Sequence, residues 1–582
     1  MILRILLQRM TSSTTEISSN SGPAWKLDWL TPMRCRMILI AVLALGFFSH
    51  IYYLHHTSID LAGDEAQYWD WSRNLDLSYY SKGPLIAYII RASCAIFGDT
   101  MPAVRYPAVL ISVLTSIVTY LLTRKLFGSD RLALGTVLLF HILPIFIAGS
   151  ALMTIDPPMF LCWALATYFA AIAIFDQKRW FWLLVGISIG VGSLAKYAAL
   201  LWFLGAIGFL ISTRRKQDLR TCLGALLLAI LCLTPVFVWN HQHNWVSLKH
   251  VARQTGVAAG PEGFQLGRAL GNIVGQIAFM LSTQLAAVGP ALAFLMVWAV
   301  VAIFRGASSF SRPSPLPSPG VPGEGVAGEG AQATRDKLPF LAWIGLAYWG
   351  INFIFSFLTK IQPNWPAPAY FTLLVLTGHF LGTRLQSLGT WKPVRGWFWG
   401  AVVTGLVVIP IAHDTTLIYP LLQPFGRIFK RDMLDMDPLA RLRGWRVFGK
   451  RVSQELQEMG PGAFVLCDDY QQTAEMAFYL DGQPKTYCAG PYFSDPKRLS
   501  QYDMWPDRRL DASSPLIGRN AIFIGKGSGL APPDDIKNAF EHVEKATITQ
   551  YELNGVPVRN FKAYRCFGFK GFPPIAGLHR DY

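Results

Sequence analysis

The run MILIAVLALGFFSHIYYLHH (37–56) carries no Asp, Glu, Lys or Arg. A bilayer core about 30 Å thick is crossed by about 20 mostly apolar residues in a helix, so this run reads as a membrane span. It ends in Tyr and His and passes into a polar loop rather than a small-residue cleavage site, so it does not read as a cleavable leader. Similar runs recur at approximately 104–123, 132–151, 157–175, 181–195, 197–212, 219–239, 274–304, 338–358, 366–383 and 396–413, about 11 in all. The pair 181–195 and 197–212 shares a break near Lys196. Composition agrees: only 15% of the 582 residues are charged and 52% are hydrophobic, whereas soluble domains carry about 25% charge. Such a chain cannot clothe a soluble surface of its size. Eight cysteines are too few for a disulfide scaffold, and the apolar content is too high for disorder. The expected fold is an all-α polytopic membrane bundle with a small C-terminal α/β domain.

Lys and Arg concentrate in alternate connections: Arg124, Lys125 and Arg131, then Lys178 and Arg179, then Arg214, Arg215, Lys216 and Arg220. The positive-inside rule makes these cytoplasmic, with the N-terminus inside and the C-terminus outside. Residues 1–35, rich in Ser and Thr, read as a disordered cytoplasmic tail, and Pro313 to Gly330 as a flexible linker. The membrane domain is expected over 36–415. From about 416 the composition becomes soluble, with strand-like AFVLC (463–467) and NAIFIG (520–525) around helical QTAEMAFYL (472–480). This predicts an extracytoplasmic α/β domain over 416–582. Its three cysteines, Cys467, Cys488 and Cys566, are an odd number and fix no pairing. The net charge of +16 follows from the cytoplasmic loops and implies no nucleic-acid partner.

The long outer connection 57–103 has apolar and aromatic residues at helical spacing in AQYWDW and PLIAYIIRASCAIF. Two interfacial helices are expected there, with aromatics at headgroup level. Asp64 and Glu65 open the first. Acids in that place cap a helix and complement its dipole, or a carboxylate takes a proton from an acceptor hydroxyl. Lys82 in YYSKGP (79–84) reads as a snorkelling lysine or as a cation for a lipid phosphate, with Tyr79 and Tyr80 stacking on a prenyl chain or sugar. Asp156, in MTIDPP at a span boundary, either caps the following helix or is a functional acid at costly depth. The loop WNHQHNWVSLKHVARQ (239–254) brings His243, Lys249 and Arg253 to the same side. Its histidines match no zinc spacing and have no Cys or carboxylate nearby, so a divalent metal lacks a motif, no cofactor is required, and a phosphate partner is more economical. Lys360, Asn364 and Trp365, in TKIQPNWPAPAYF (359–371), precede the tenth run on that face as further pocket candidates.

At DEAQYWDW, YYSKGPL and IDPPMF the chain resembles the bacterial membrane glycosyltransferases of the dolichyl-phosphate-mannose protein mannosyltransferase type, and within them the aminoarabinose transferases that modify lipid A. The resemblance implies the GT-C architecture and a polyprenyl-phosphate-linked sugar as donor. The acceptor would be a lipid A-like lipid, a glycan or a protein, in the bacterial inner membrane. It implies Asp64 as base or acceptor-orienting acid with Glu65 beside it. Lys82 would hold the donor phosphate, Asp156 would be an active-site carboxylate, and Arg253 a second phosphate cation. The chain departs from the aminoarabinose enzymes at Ser81, where they carry Glu, so neither their sugar nor a metal at that position is implied here.

A lipid or solute transporter, such as a flippase, is the rival from another class. Transport sites sit near the bilayer midplane, whereas these candidates gather at one face. A third reading, a binding scaffold served by the soluble tail, meets the lack of any nucleophile or metal motif there; the tail's expected task is to cover the site or present acceptor.

Overall fold

The computed structural model describes residues 29–255, 266–309, 324–385, 388–429, 433–525, 530–553 and 555–575. Residues 1–28 of the expected tail and most of the expected linker lie outside them. Pro32–His56 is already helical, and a helix runs over Glu324–Phe355, so the end of the expected linker is helical as well.

Five helices among the described residues are long and apolar enough to cross a membrane: Pro32–His56, Met101–Phe127, Asp156–Phe175, Asp336–Phe355 and Lys392–His413. Three further runs are bent pairs rather than straight spans, which corrects the sequence reading. The 132–151 run breaks by 74° between Asp130–His141 and Pro144–Ala151, and the 219–239 run by 43° between Lys216–Leu231 and Thr234–Gln242. The 274–304 run turns by 100° between Ile273–Val288 and Pro290–Arg305. Pro144, Pro235 and Pro290 withdraw the N–H that would continue each helix, and Gly289 adopts φ +86°, closed to most side chains. Phe181–Ala195 and Tyr197–Ser212 are shorter apolar helices. The protein is thus a multi-pass membrane protein.

Hydroxyls inside the Met101–Phe127 helix are satisfied locally. Along Met101–Phe127 the hydroxyls of Thr115, Thr119 and Thr123 each donate at 2.8 Å to the carbonyl one turn earlier, the back-bonding an apolar solvent demands. Asp156–Phe175 and Ala367–Arg384 are buried along most of their length in the central core.

The expected α/β domain is present. The Phe464–Cys467 strand (β1) pairs in parallel with Thr486–Cys488 (β2) and Ala521–Ile524 (β3). Beyond β3 the sheet continues with the long Val556–Phe569 (β6), which is antiparallel to β3, to Phe540–Val543 (β4) and to Thr547–Leu553 (β5). FVLC and AIFI are wholly buried, as continuous apolar strands covered on both faces must be. The helix between β1 and β2, Tyr470–Tyr479, packs one side against the sheet and the other against the 57–103 connection. Cys467, Cys488 and Cys566 are buried free thiols.

The two helices expected in 57–103 are Gly63–Ser72 and Leu85–Phe97. The first does not lie among headgroups: Tyr68, Trp69 and Trp71 are buried, and Trp69 meets Phe478 edge to face at 4.8 Å. Burying three aromatics beneath the C-terminal domain removes far more apolar surface from water than an interfacial seat.

Candidate active site

The 57–103 connection is fixed by a buried ion pair. The Glu65 carboxylate, 0% exposed, receives Arg105 Nε at 2.9 Å and Nη2 at 2.7 Å. It also accepts the N–H groups of Ala62 (2.9 Å) and Met153 (2.8 Å), and Arg105 donates to the Asp60 carbonyl at 2.8 Å. One carboxylate therefore joins the start of the Gly63–Ser72 helix, the Met101–Phe127 helix and the segment leading to Asp156. Both oxygens are committed, so Glu65, expected beside the chemistry, instead positions its neighbours.

Asp64 is half-buried and accepts Gln471 Nε2 at 3.1 Å. The approach of Gln471 depends on Gly63, where a Cβ would lie 2.6 Å from Gln471 Cβ. One turn on, Tyr68 is held between the two acids. Burial, with the charges of Asp64 and then Asp156 adding to it, pushes its hydroxyl well above the usual range.

Asp156, 8% exposed, opens its helix and accepts Lys196 Nζ at 2.8 Å and Asn364 Nδ2 at 2.6 Å. Lys196 occupies the break between the two short apolar helices, where its backbone is extended (φ −147°), so the break serves to aim a cation.

Lys82 faces this group. Burial and the neighbouring Lys196 push its ammonium down to about 8, against the opposing pull of Asp64 and Asp156. Its carbonyl closes a tight turn by accepting Tyr79 N at 3.1 Å and Ser78 Oγ at 3.3 Å. The next residue makes the close approach: a Cβ on Gly83 would lie 2.2 Å from the Leu194 carbonyl oxygen. Gly83→Ala is therefore expected to force this turn off the Leu194–Lys196 corner, at a cost of ~1–3 kcal/mol. The check is a lower unfolding midpoint of the purified protein, with Gly83→Ser no better.

Beside Lys82 a cavity of about 450 Å³ opens between the 239–254 segment and the C-terminal domain, lined by Tyr80, His250, Arg253, Lys497, Arg498 and neighbouring residues. Tyr80 is anchored through its N–H to Gln501 Oε1 (2.7 Å), and its ring meets His250 at 5.1 Å. Burial first, then the charges of Arg498, Lys82 and Arg253, push the His250 imidazole down to about 4. Arg498 lies over the Tyr470 ring, 4.6 Å from its centroid.

The structure thus gathers Asp64, Asp156, Lys82, Asn364, Tyr80 and Arg253 around one region. Other candidates turn elsewhere. Tyr79 stacks on Trp71 at 4.5 Å and its hydroxyl lies 3.1 Å from the carbonyls of Trp71 and Asn74, so it shapes the turn. His243 stacks on Trp239 at 3.9 Å, whose indole in turn donates to Asp76 at 2.8 Å. Lys360 is exposed, with its ammonium 4.1 Å from the centre of the Phe279 ring. Lys249 is half-buried one turn before Arg253 and is not among the cavity's lining residues, and Trp365 is half-buried in the turn whose Asn364 reaches Asp156. Among the described residues no group of three or more His, Cys, Asp or Glu comes together to hold a metal ion.

Tyr68, Lys196, Gln471, Tyr470 and Arg498 were not singled out from the sequence. Lys196 had a signal, being the one charge between Phe181 and Ser212.

Residues 81–239 match the family model described as dolichyl-phosphate-mannose-protein mannosyltransferase. The chain is 28% identical over 459 residues to the lipid A galacturonosyltransferase RgtD of Rhizobium johnstonii, covering 77% of this chain and 84% of that one. It is 25% identical over 391 residues to the undecaprenyl phosphate-alpha-4-amino-4-deoxy-L-arabinose arabinosyl transferase of Pseudomonas savastanoi pv. phaseolicola, covering 60% and 71%. Its fold is similar to that of ArnT from Cupriavidus metallidurans, solved in the apo state and bound to undecaprenyl phosphate. Each gives a TM-score of 0.55 at 14% identity over 91% of this chain and 97% of that one. The family model, the curated relatives and the fold neighbour are all GT-C type glycosyltransferases, so the resemblance read at DEAQYWDW, YYSKGPL and IDPPMF is borne out.

Proposed function

We infer that this chain, with the fold and sequence likeness of the GT-C glycosyltransferases, is a membrane glycosyltransferase. It moves a sugar from a polyprenyl phosphate to a hydroxyl of a lipid A-type acceptor. The observation that carries the mechanism is the meeting of Asp64 and Lys82, from the 57–103 connection, with Asp156, from the connection before its own helix, in one electrostatic group. The acceptor hydroxyl oxygen attacks the anomeric carbon, and its proton passes to Asp64. The bond from that carbon to the phosphate oxygen breaks, and prenyl phosphate leaves against Lys82 and Arg253, which offset its growing charge. Asp156, held by Lys196 and Asn364, faces the sugar as a fixed carboxylate. A single displacement of this kind inverts the anomeric centre.

The site belongs to the outer face of the bacterial inner membrane, with the N-terminus cytoplasmic and the C-terminal domain as an extracytoplasmic cover. The bent pairs, the short helices Phe181–Ala195 and Tyr197–Ser212, and buried Ala367–Arg384 supply the remainder of the eleven crossings we assign.

The test is release of prenyl phosphate by the protein reconstituted in vesicles with a prenyl-phosphate sugar and lipid A. A transporter would move the lipid and leave the donor intact, which would sink the proposal. The pH profile adds a second readout. Lys82 attracts phosphate when protonated, so the attraction is present below its value of about 8 and lost as pH rises through it. The donor kcat/KM, which reports the free enzyme, is expected to fall above about pH 8. Lys82→Arg, whose guanidinium keeps its proton, is expected to remove that limb.

A further inference from the structure

The Lys392–His413 span runs straight into a buried polar network. Arg443, buried in the C-terminal domain, donates to the Ser58 hydroxyl, to Asp414 Oδ1 at 3.1 Å and to Thr415 Oγ1 at 3.1 Å. One guanidinium therefore ties the domain to the segments just beyond the Pro32–His56 and Lys392–His413 helices. Between this network and the domain stands the helix Tyr419–Phe429, YPLLQPFGRIF, which no step of the reaction uses. Asp414 and the tight turn Thr415–Ile418 are all that separate it from the span, at most ~10 Å of chain for a 3₁₀ rise.

At 3.6 residues per turn its side chains fall on three sides. Tyr419, Leu422 and Gly426 share the side turned to the domain. The Tyr419 hydroxyl donates to Asp437 at 2.8 Å, and Tyr419 and Leu422 join Leu553, Val556 and Val558 of the β5–β6 hairpin in one apolar cluster. Leu421, Phe425, Ile428 and Phe429 lie on a second side, within about 100° of arc, and are between 57% and 71% exposed. Gln423 and Arg427, one turn apart, mark a third, polar side.

Four large apolar side chains in one patch of so short a helix call for a cover, and the start of the helix says which. Trp399, Val403, Leu406 and Val407 of the last span are exposed in the same way, as residues facing lipid are, and exposed Leu417 stands in the connecting turn. The apolar side thus continues a lipid-facing surface. An apolar side, a polar side roughly opposite it and low overall charge are the pattern of a helix lying in the plane of a membrane interface.

We propose that Tyr419–Phe429 lies in the headgroup layer of the leaflet next to the C-terminal domain, with Leu421, Phe425, Ile428 and Phe429 among the acyl chains, and that it seats the domain on the bilayer. The interfacial role expected of Gly63–Ser72 then falls to a helix at the other end of the membrane domain. Arg443 holds the domain to the spans, and this helix holds it to the lipid.

The experiment uses the full chain in phosphatidylcholine vesicles with one introduced cysteine, Phe425→Cys, Ile428→Cys or Arg427→Cys, carrying an environment-sensitive maleimide fluorophore. Wild type treated alike supplies the background, since Cys232 is the one native cysteine that is not buried. The fluorophores on Phe425→Cys and Ile428→Cys are expected to emit at shorter wavelength than that on Arg427→Cys. They are expected to lose intensity to phospholipid brominated high on the acyl chain and to be spared by aqueous iodide, whereas iodide quenches the fluorophore on Arg427→Cys. Iodide quenching alike at all three positions would overturn the proposal, because the helix would then stand in water. Protection of Phe425→Cys and Ile428→Cys from both quenchers would also overturn it, since a protein surface, a second copy or another chain, would then cover that side. Stronger quenching by bromine near the chain ends would place the helix across the membrane and overturn it too. The seat has its own readout: Phe425→Asn with Ile428→Asn is expected to speed protease cleavage between span and domain several-fold in the same vesicles. An unchanged cleavage rate would overturn the seating role.

Discussion

Asp64→Asn is expected to lower kcat for sugar transfer about 1,000-fold, the middle of the range that a positioned general base supplies, while the donor KM stays close to that of the wild type. At 1.36 kcal/mol per decade this is ~4 kcal/mol of the barrier. The expectation follows from what Asp64 touches. It is half-buried, it accepts one amide hydrogen bond from Gln471, and no ion pair engages it among the described residues. It is thus left reachable, unlike Asp156, which is engaged by Lys196. Asparagine keeps the shape and can rotate to satisfy Gln471, so the fold is spared and only proton acceptance is lost. Single-turnover measurement with saturating donor separates this from a binding defect. A rate within a few-fold of wild type would remove Asp64 from the proton transfer and leave Asp156 as the remaining candidate.

Asp156 could be found in the sequence because an apolar bundle makes each charge conspicuous: at a Pro-Pro boundary it stands out against residues that carry almost no charge. Asp64, Glu65 and Lys82 stand out instead by their aromatic neighbours in an outer connection too long for a plain loop. The same contrast fails in the C-terminal domain. Arg498 and Gln471 sit in ordinary soluble composition, where a polar residue signals nothing, and only the fold of 416–582 over the 57–103 connection gives them a role. Side-chain direction was equally hidden. Asp64 and Glu65 are neighbours in sequence, yet on a helix they point about 100° apart, so one reaches the pocket while the other turns inward to Arg105. Tyr79 and Tyr80 divide in the same way, one stacking on Trp71 and the other lining the cavity. Hydropathy located the apolar runs but was blind to their bends. It averages over a Pro or Gly-Pro break that changes helix direction without changing mean polarity, as at Gly289 and Pro290.

Glu65→Gln and Arg105→Met, made singly, are each expected to destabilise the protein by ~3–5 kcal/mol, the cost of leaving one member of a buried ion pair without its partner. Both side chains are essentially inaccessible to solvent, so water cannot replace the lost contact. The double variant is expected to recover part of that loss, because it removes both charges together, and the shortfall from additivity measures the coupling. Activity should behave differently. Glu65 also accepts the N–H groups of Ala62 and Met153, which lead directly to Asp64 and to Asp156, so relieving the buried charge does not rebuild the scaffold that sets the distance between those acids. Stability is then regained without transfer. Unfolding midpoints in one detergent, set beside donor turnover for the same four proteins, read the two effects separately. A double variant that regained turnover in step with stability would mean that the pair only holds the fold together, and that Asp64 and Asp156 find their places without it.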